Sequence, residues 1–330
     1  MTSQPPETNE ILRVARQFRE ALRHHDQRAL TRLTRAYERV YARLKDKIDL
    51  LTDAIGAEQP TKGQLVRMAR YNSLIRQIEE ELQGYQAILR NEIEGVAAEA
   101  ISFAGRDAAK VLRSYGVTVG FNRLPTETIK TLLGFLSDES PLFTRIGQLA
   151  KVNATFVADK IIEGVSLGYN PRKIAGIIRD ALGGGLTDAL RMTRTVQLWS
   201  YREATRANYL NNSDVIEGWI WWADLAGDPC MACIAEHGTV HGLEENLDDH
   251  YNGRCAMLPV VIGFPSPVDQ TGEDWFKELP EAKQRQLMGK GKFEAWQSGK
   301  FDFAQLIGKH DDDVYGLMTI EATLESLLGD

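Results

Sequence analysis

The sequence predicts a mainly α-helical protein with one small α+β module, on three observations. Apolar residues recur at helical spacing through most of the chain before residue 211, and strand-like alternation is missing before residue 215. The run Trp219-Ile220-Trp221-Trp222 is aromatic and branched, as a buried strand is. All three cysteines, three of the six histidines and three of the six tryptophans fall between Trp219 and Pro259.

The elements follow in order. Leu12, Phe18, Leu22, Leu30, Leu33, Tyr37, Val40, Leu44 and Ile48 mark long amphipathic helices over residues 11–56. An arginine ladder runs beside that stripe, ending in Arg28, Arg32, Arg35, Arg39 and Arg43. Residues 1–50 carry eleven Lys or Arg against seven Asp or Glu, a net +4. The ladder reads as a solvated helical face or as a contact surface for nucleic acid or an acidic partner. Gly56 to Gly63 is a turn, and a second helix from Leu65 towards Val96 implies an antiparallel pair. A small-residue pattern over 96–119 suits a buried helix, and short helices occupy about 126–182.

Pro171 starts a helix, Gly183-Gly184-Gly185 reads as its stop, and Asp188 to Asn211 forms one more long helix. Trp219–Trp222, Val240–His241 and Met257–Ile262 read as partner strands. Short helices follow around Trp275–Leu287 and Phe293–Trp296. Residues 301–330 hold seven acidic groups and one basic group, net −6, and read as a solubilising tail or as a segment attracted to the basic N-terminus of the same or another protomer, the first being preferred. The expected organisation is a helical region over 1–182, a Cys/His module over 186–265, and a short-helix acidic tail over 266–330.

A net charge of −7 with 43% hydrophobic residues excludes a disordered chain and a wholesale nucleic-acid-binding surface. No apolar run approaches the roughly 20 residues that span a bilayer, and the N-terminus has no apolar signal core, so a cytosolic start and no membrane partner are expected. An odd cysteine count argues against a disulfide framework and for metal ligation.

Cys230 and Cys233 form a C-x-x-C knuckle, and His250 and Cys255 follow after a gap of sixteen residues. Two ligands from a tight knuckle and two from a distant segment suit tetrahedral zinc, which favours thiolate and imidazole. Turn-forming Gly227-Asp228-Pro229 and Asn252-Gly253 flank the two pairs. His237 and His241 are replacement ligands; His250 is preferred because it pairs with Cys255. The bland alternative is three reduced cysteines in a core.

Two enzymatic readings compete. Pro229-Cys230-x-x-Cys233 matches half of the zinc deaminase signature, but no histidine lies between His25 and His237 to supply the upstream half. His237, His241 and His250 among Glu236, Asp248 and Asp249 could bind the hydrolytic metal of a nuclease. No phosphate-binding loop, nucleophile elbow or dinucleotide fingerprint is present.

In their order, these segments resemble the phage Mu F-like head morphogenesis, or minor capsid, family. RMTRTVQLWSYREATRANYL looks like the family's R-x-x-R-T-E segment, CMACIAEHGTV like its C-x-x-C-x-x-x-x-G-x-V block, and HYNGRC is similar to its H-P-x-C-R-C. Val196 stands where the family often has Glu, Tyr251 replaces its Pro, and Gly253 replaces its first Cys, so Cys255 carries that corner alone. The segment from Trp275 to Phe301 also resembles a tail downstream of this domain in phage head proteins.

The resemblance covers about residues 186–310. It implies a non-catalytic structural protein, a few copies of which act inside the procapsid beside the portal protein and other capsid components, in head assembly, DNA packaging or DNA exit. It further implies residence in the virion and, during assembly, the host cytoplasm, with no small-molecule substrate. A metal-dependent nuclease, a toxin-like effector carried in the head and a DNA-binding accessory protein are the alternatives.

Overall fold

The computed structural model describes residues 8–55, 69–117, 124–125, 171–227 and 229–329, with isolated stretches between 140 and 169. The expected turn at 56–63 and most of the short helices expected over 126–170 lie outside the described residues. The fold is mainly helical with small antiparallel sheets, as the periodicity predicts.

Three long helices dominate: α1 over Thr8–Ile55, α2 over Ala69–Ser114 and α3 over Pro171–Leu210. Helix α1 contains neither glycine nor proline, and its buried positions, among them Ile11, Val14, Leu22, Leu30, Leu33, Tyr37, Val40 and Leu44, recur on one face. Helix α2 merges the two helices expected on either side of residue 96. It closes at Gly116, whose φ of 77° lets the Val117 N–H reach back to Leu112 O at 3.2 Å and satisfy a terminal carbonyl.

Helix α3 corrects the reading of Gly183–Gly185 as a stop, because it continues through all three. A mid-helix glycine costs about 1 kcal/mol relative to alanine, but it does not forbid the helical conformation. The periodic segments on both sides carry the helix across.

The chain divides into two compact units, one of Met1–His24, Ala97–Phe135 and Gln197–Asp330, the other of His25–Val96 and Leu136–Val196. These boundaries differ from those drawn from composition at 182 and 265. In the second unit, α1 and α2 run antiparallel. Arg32–Glu92 at 2.7 Å, Tyr37 edge-on to Tyr85 at 5.8 Å, and Arg43–Glu81 at 3.0 Å pair rising positions with falling ones. Asp26 of α1 holds Arg194 of α3 at 2.7 Å.

The first unit is built on a three-stranded antiparallel sheet of order β2-β1-β3, with β1 over Ile216–Trp222, β2 over Val240–His241 and β3 over Ala256–Val261. Its strands match those the sequence predicts. Strand β1 is central and buried on both faces, so its alternation serves two cores. Trp219 and Trp221 pack with Ile11, Tyr115, Cys233, Leu247 and Cys255, while Ile220 and Trp222 pack with Ala15 and Leu258.

Helix α4, Met231–Glu236, sits between β1 and β2 in the chain. Helices α5 over Gly272–Glu278, α6 over Glu281–Met288 and α7 over Lys290–Gln297 follow the sheet. Gly272 is required, since a Cβ there would overlap Ile234 O. Phe276, Phe293 and Phe303 close a core on Met231 and Ile234 of α4.

Residues 307–321 depart from the expected acidic tail. They form a β-hairpin, β4 over Ile307–Asp312 and β5 over Gly316–Glu321, followed by α8 over Leu324–Leu328. Asp311 and Asp312 end β4 and Asp313 lies in the turn, so the charge concentrates where solvent reaches it, while Met318 and Thr319 are buried.

Candidate metal centre

The C-x-x-C knuckle is folded by a helix start. Cys230 is the N-cap of α4, and its Sγ accepts the Cys233 N–H at 3.4 Å, which puts both sulfurs on one side of the first turn. The loop from Asp249 to Cys255 meets them. His250 Nε2 lies 3.3 Å from Cys230 Sγ and 3.3 Å from Cys233 Sγ, while Nδ1 is 2.9 Å from Tyr251 O. The carbonyl fixes the Nδ1–H tautomer and leaves Nε2 facing the sulfurs, the orientation a metal-binding imidazole needs.

Cys230, Cys233 and His250 form one group of convergent donors, and Cys233, Asp249 and Cys255 a second; within each, the ligand atoms lie within 4.8 Å of one another. Tetrahedral ligands at Zn–S distances of about 2.3 Å stand roughly 3.8 Å apart, so both groups are close to coordination spacing. The four residues read from the sequence thus make a Cys/His cluster that could hold a metal ion. Cys233 is the residue common to both groups.

A buried polar network holds the loop in place. Asp249 is 0% exposed and Arg202, from α3, 4% exposed, and they pair at 2.7 Å. Asp249 also accepts from the His250 N–H at 2.9 Å, the Cys255 N–H at 3.1 Å and Cys233 Sγ at 3.4 Å. Arg202 donates to Gly253 O at 2.8 Å and, from Nε, to Cys255 O at 3.0 Å. One guanidinium and one carboxylate therefore tie both ends of the ligand loop to α3 and to each other.

Gly253 is part of this arrangement. A Cβ at that position would overlap the Asp249 carboxylate. The position is therefore closed to any side chain while Asp249 is in place. Asn252 beside it adopts φ 58°, a left-handed turn that asparagine tolerates.

Electrostatics follow from the geometry. Hydrogen bonding with Cys233 and with His250 outweighs burial and brings the Cys230 thiol down to about 5. His250 is pushed up to about 9, mainly by Cys230, against burial and with help from Asp249. Cys233, hydrogen-bonded with Cys230 and Cys255 and buried, is pushed well up. Burial raises Cys255, with the Cys233 hydrogen bond and the Arg202 charge pulling the other way. For Asp249 burial acts to raise the carboxyl, but Arg202, His250 and the N–H donors outweigh it and hold it below its ordinary range. These directions favour a thiolate at Cys230 against a charged His250, with the proton retained on Cys233 and Cys255, and binding a metal would displace those protons.

The remaining candidates are dispersed. His237 Nδ1 accepts the Ala223 N–H at 3.1 Å, and His241 stacks on Trp219 at 4.3 Å while contacting Thr239 and Glu245. Among the described residues neither joins a donor group, so the three histidines of the nuclease reading do not converge. On the arginine ladder, Arg32 and Arg43 bridge α1 to α2, Arg28 contacts His25, and Arg35 and Arg39 stand exposed.

No protein-family model, curated protein or solved structure matches this chain. The site therefore rests on its own geometry. Sequence reasoning missed Arg202 and the anchoring role of Asp249; the only signal was the position of Arg202 in an arginine-rich helix leading into the module.

Proposed function

We propose that Cys230, Cys233, His250 and Cys255 bind one structural zinc ion, and that the chain is a non-catalytic head-morphogenesis, or minor capsid, protein. The observation that carries the metal reading is the orientation of His250, with Nδ1 tied to Tyr251 O and Nε2 facing two cysteine sulfurs. Soft sulfur and imidazole donors select zinc over magnesium or calcium. With Cys255 drawn in as the fourth ligand, no position remains open for a reacting water, so the ion acts as a staple.

The capsid reading is supported by the order of the Arg-rich helix, the C-x-x-C block and the His/Cys segment. Their three-dimensional association through Arg202, Cys233 and His250 is consistent with a single module. Exposed Arg35 and Arg39, with Arg28, offer a surface for packaged DNA or an acidic portal face.

Elemental analysis of purified protein should give one zinc per chain, lost in Cys230→Ser. A stoichiometry near zero after metal-replete expression rejects the staple. Independently, the protein should co-purify with a portal protein and be detected in virions by mass spectrometry; failure of both rejects the capsid role. Cleavage of plasmid DNA with a divalent metal, abolished by His250→Ala, would favour the nuclease instead.

A further inference from the structure

A second feature lies in the same unit, in a cavity of about 540 Å³ between the N-terminal half of α1 and the turn after β1. Arg16, Arg19 and Arg23, spaced at helical intervals, form one wall; His237, Gln270 and Trp275 line the other. Its size is that of a small-molecule site.

The base of the cavity is rich in donors. The Arg19 guanidinium stacks 3.8 Å from the centroid of the Trp222 ring, donates to Trp222 O at 3.1 Å and pairs with Asp224 at 3.0 Å, while its buried Nε–H has no acceptor. Asp224 is also taken by Arg23, so one carboxylate is shared by two guanidiniums. Because His237 Nδ1 accepts the Ala223 N–H, the ring proton sits on Nε2, for which no protein acceptor is present among the described residues. His237 Nε2–H is not sealed off, unlike Arg19 Nε–H, so it is free to donate to an acceptor that enters the cavity.

The other acids of the lining, Glu20 and Asp269, are exposed. They balance the formal charge of the lining without supplying acceptors at its base. Arg16 is exposed too and has no ion-pair partner among the described residues. Half-buried Trp275 and Leu12 add apolar wall.

We propose that this cavity binds a planar organic anion, an aromatic ring carrying a carboxylate or a phosphate. The anionic head meets His237 Nε2–H and the guanidiniums of Arg16 and Arg23, with Arg19 holding the electropositive base, and the ring lies against Trp275. A cation is disfavoured because the one deep carboxylate is already shared. Inorganic phosphate alone leaves the apolar wall unused. Nothing in the cavity demands turnover; the site is a binding site.

Isothermal titration of the full chain with phenyl phosphate, benzoate and inorganic phosphate tests this. One ring-bearing anion should bind saturably, and inorganic phosphate about tenfold or more weaker; which of the two rings binds tells phosphate from carboxylate. Arg16→Gln, at an exposed position that should not disturb folding, should weaken that binding about tenfold, and Trp275→Leu should remove the advantage over phosphate. The proposal fails if neither ring-bearing anion binds below a concentration on the order of 10 mM. It fails equally if binding is unchanged in both variants, or if phosphate binds as tightly as the rings.

Discussion

Arg32–Glu92 and Arg202–Asp249 are the same chemistry, a guanidinium on a carboxylate at 2.7 Å, in opposite surroundings. The first joins two helices whose apolar stripes already face each other, and its arginine is 54% exposed. The second is 4% and 0% exposed and anchors an irregular loop that has few apolar side chains of its own. In the helical pair, packing determines the structure and the ion pair trims it. In the cysteine module the ion pair and its hydrogen bonds determine where the ligands stand, because no periodic apolar face is available to do so.

That contrast orders the expected effects. Asp249→Ala removes the carboxylate paired with Arg202, leaving a buried cation on carbonyls alone and two loop N–H groups without their acceptor, so it should destabilise by about 3–5 kcal/mol. Urea unfolding followed by tryptophan fluorescence reads this directly. A loss below about 1 kcal/mol would place the buried pair with the surface pairs and end the comparison.

Next comes a pH effect in the same unit. Burial, reinforced by Arg19, lowers His237 to about 4, whereas the unfolded chain takes up this proton near the ordinary histidine value of about 6.5. The unfolded state therefore binds more protons between these values. The stability associated with neutral His237 is complete above pH 6.5 and is lost as the pH falls towards 4, by about 3 kcal/mol. Asp107, raised to about 6 by burial, acts in the opposite sense over the same range. The informative quantity is thus the difference between wild type and His237→Gln, which should shrink from pH 7 to pH 4; a difference that stays constant contradicts the assignment.

On the zinc reading, metal at about a hundredfold excess over its dissociation constant adds about 2.7 kcal/mol, lost on chelation. Thermal unfolding with and without chelator should register this in the wild type and show no shift in Cys230→Ser. The smallest effect is expected from Arg32→Gln, under about 1 kcal/mol and shrinking further at high salt. A larger loss would mean that the helical pair depends on its ion pairs more than on its stripe.

What the sequence made legible was whatever depends on neighbours in the chain. Leu33, Val40 and Leu44 repeat at helical spacing, Trp219–Trp222 has the look of a strand, and Cys230, Cys233, His250 and Cys255 carry ligand spacing. Arg202 and Asp249 pair across 47 residues of chain, and no local pattern encodes that contact. The stop assigned to Gly183–Gly185 failed because a weak local preference was outweighed by the segments around it. The β4–β5 hairpin was hidden because Asp311, Asp312 and Asp313 dominate the composition of a segment whose few buried positions, Tyr315, Met318 and Thr319, do not alternate as a strand's would.

That hairpin also bears on the order in which the module is assembled. The Thr319 N–H bonds to Asp248 O, Asp249 bridges to Thr319, the Met231 N–H donates to Glu321 at 3.0 Å, and Tyr251 meets both Asp312 and Tyr315. All of these clasps come from residues synthesised after both cysteine-bearing segments. A nascent chain emerging from the ribosome presents the knuckle and the His250 loop before the hairpin that clasps them. On the zinc reading, these clasps tie the ligand loop and the knuckle to the hairpin, so exchange of a bound ion should be slower in the full chain than in a chain truncated after Leu306.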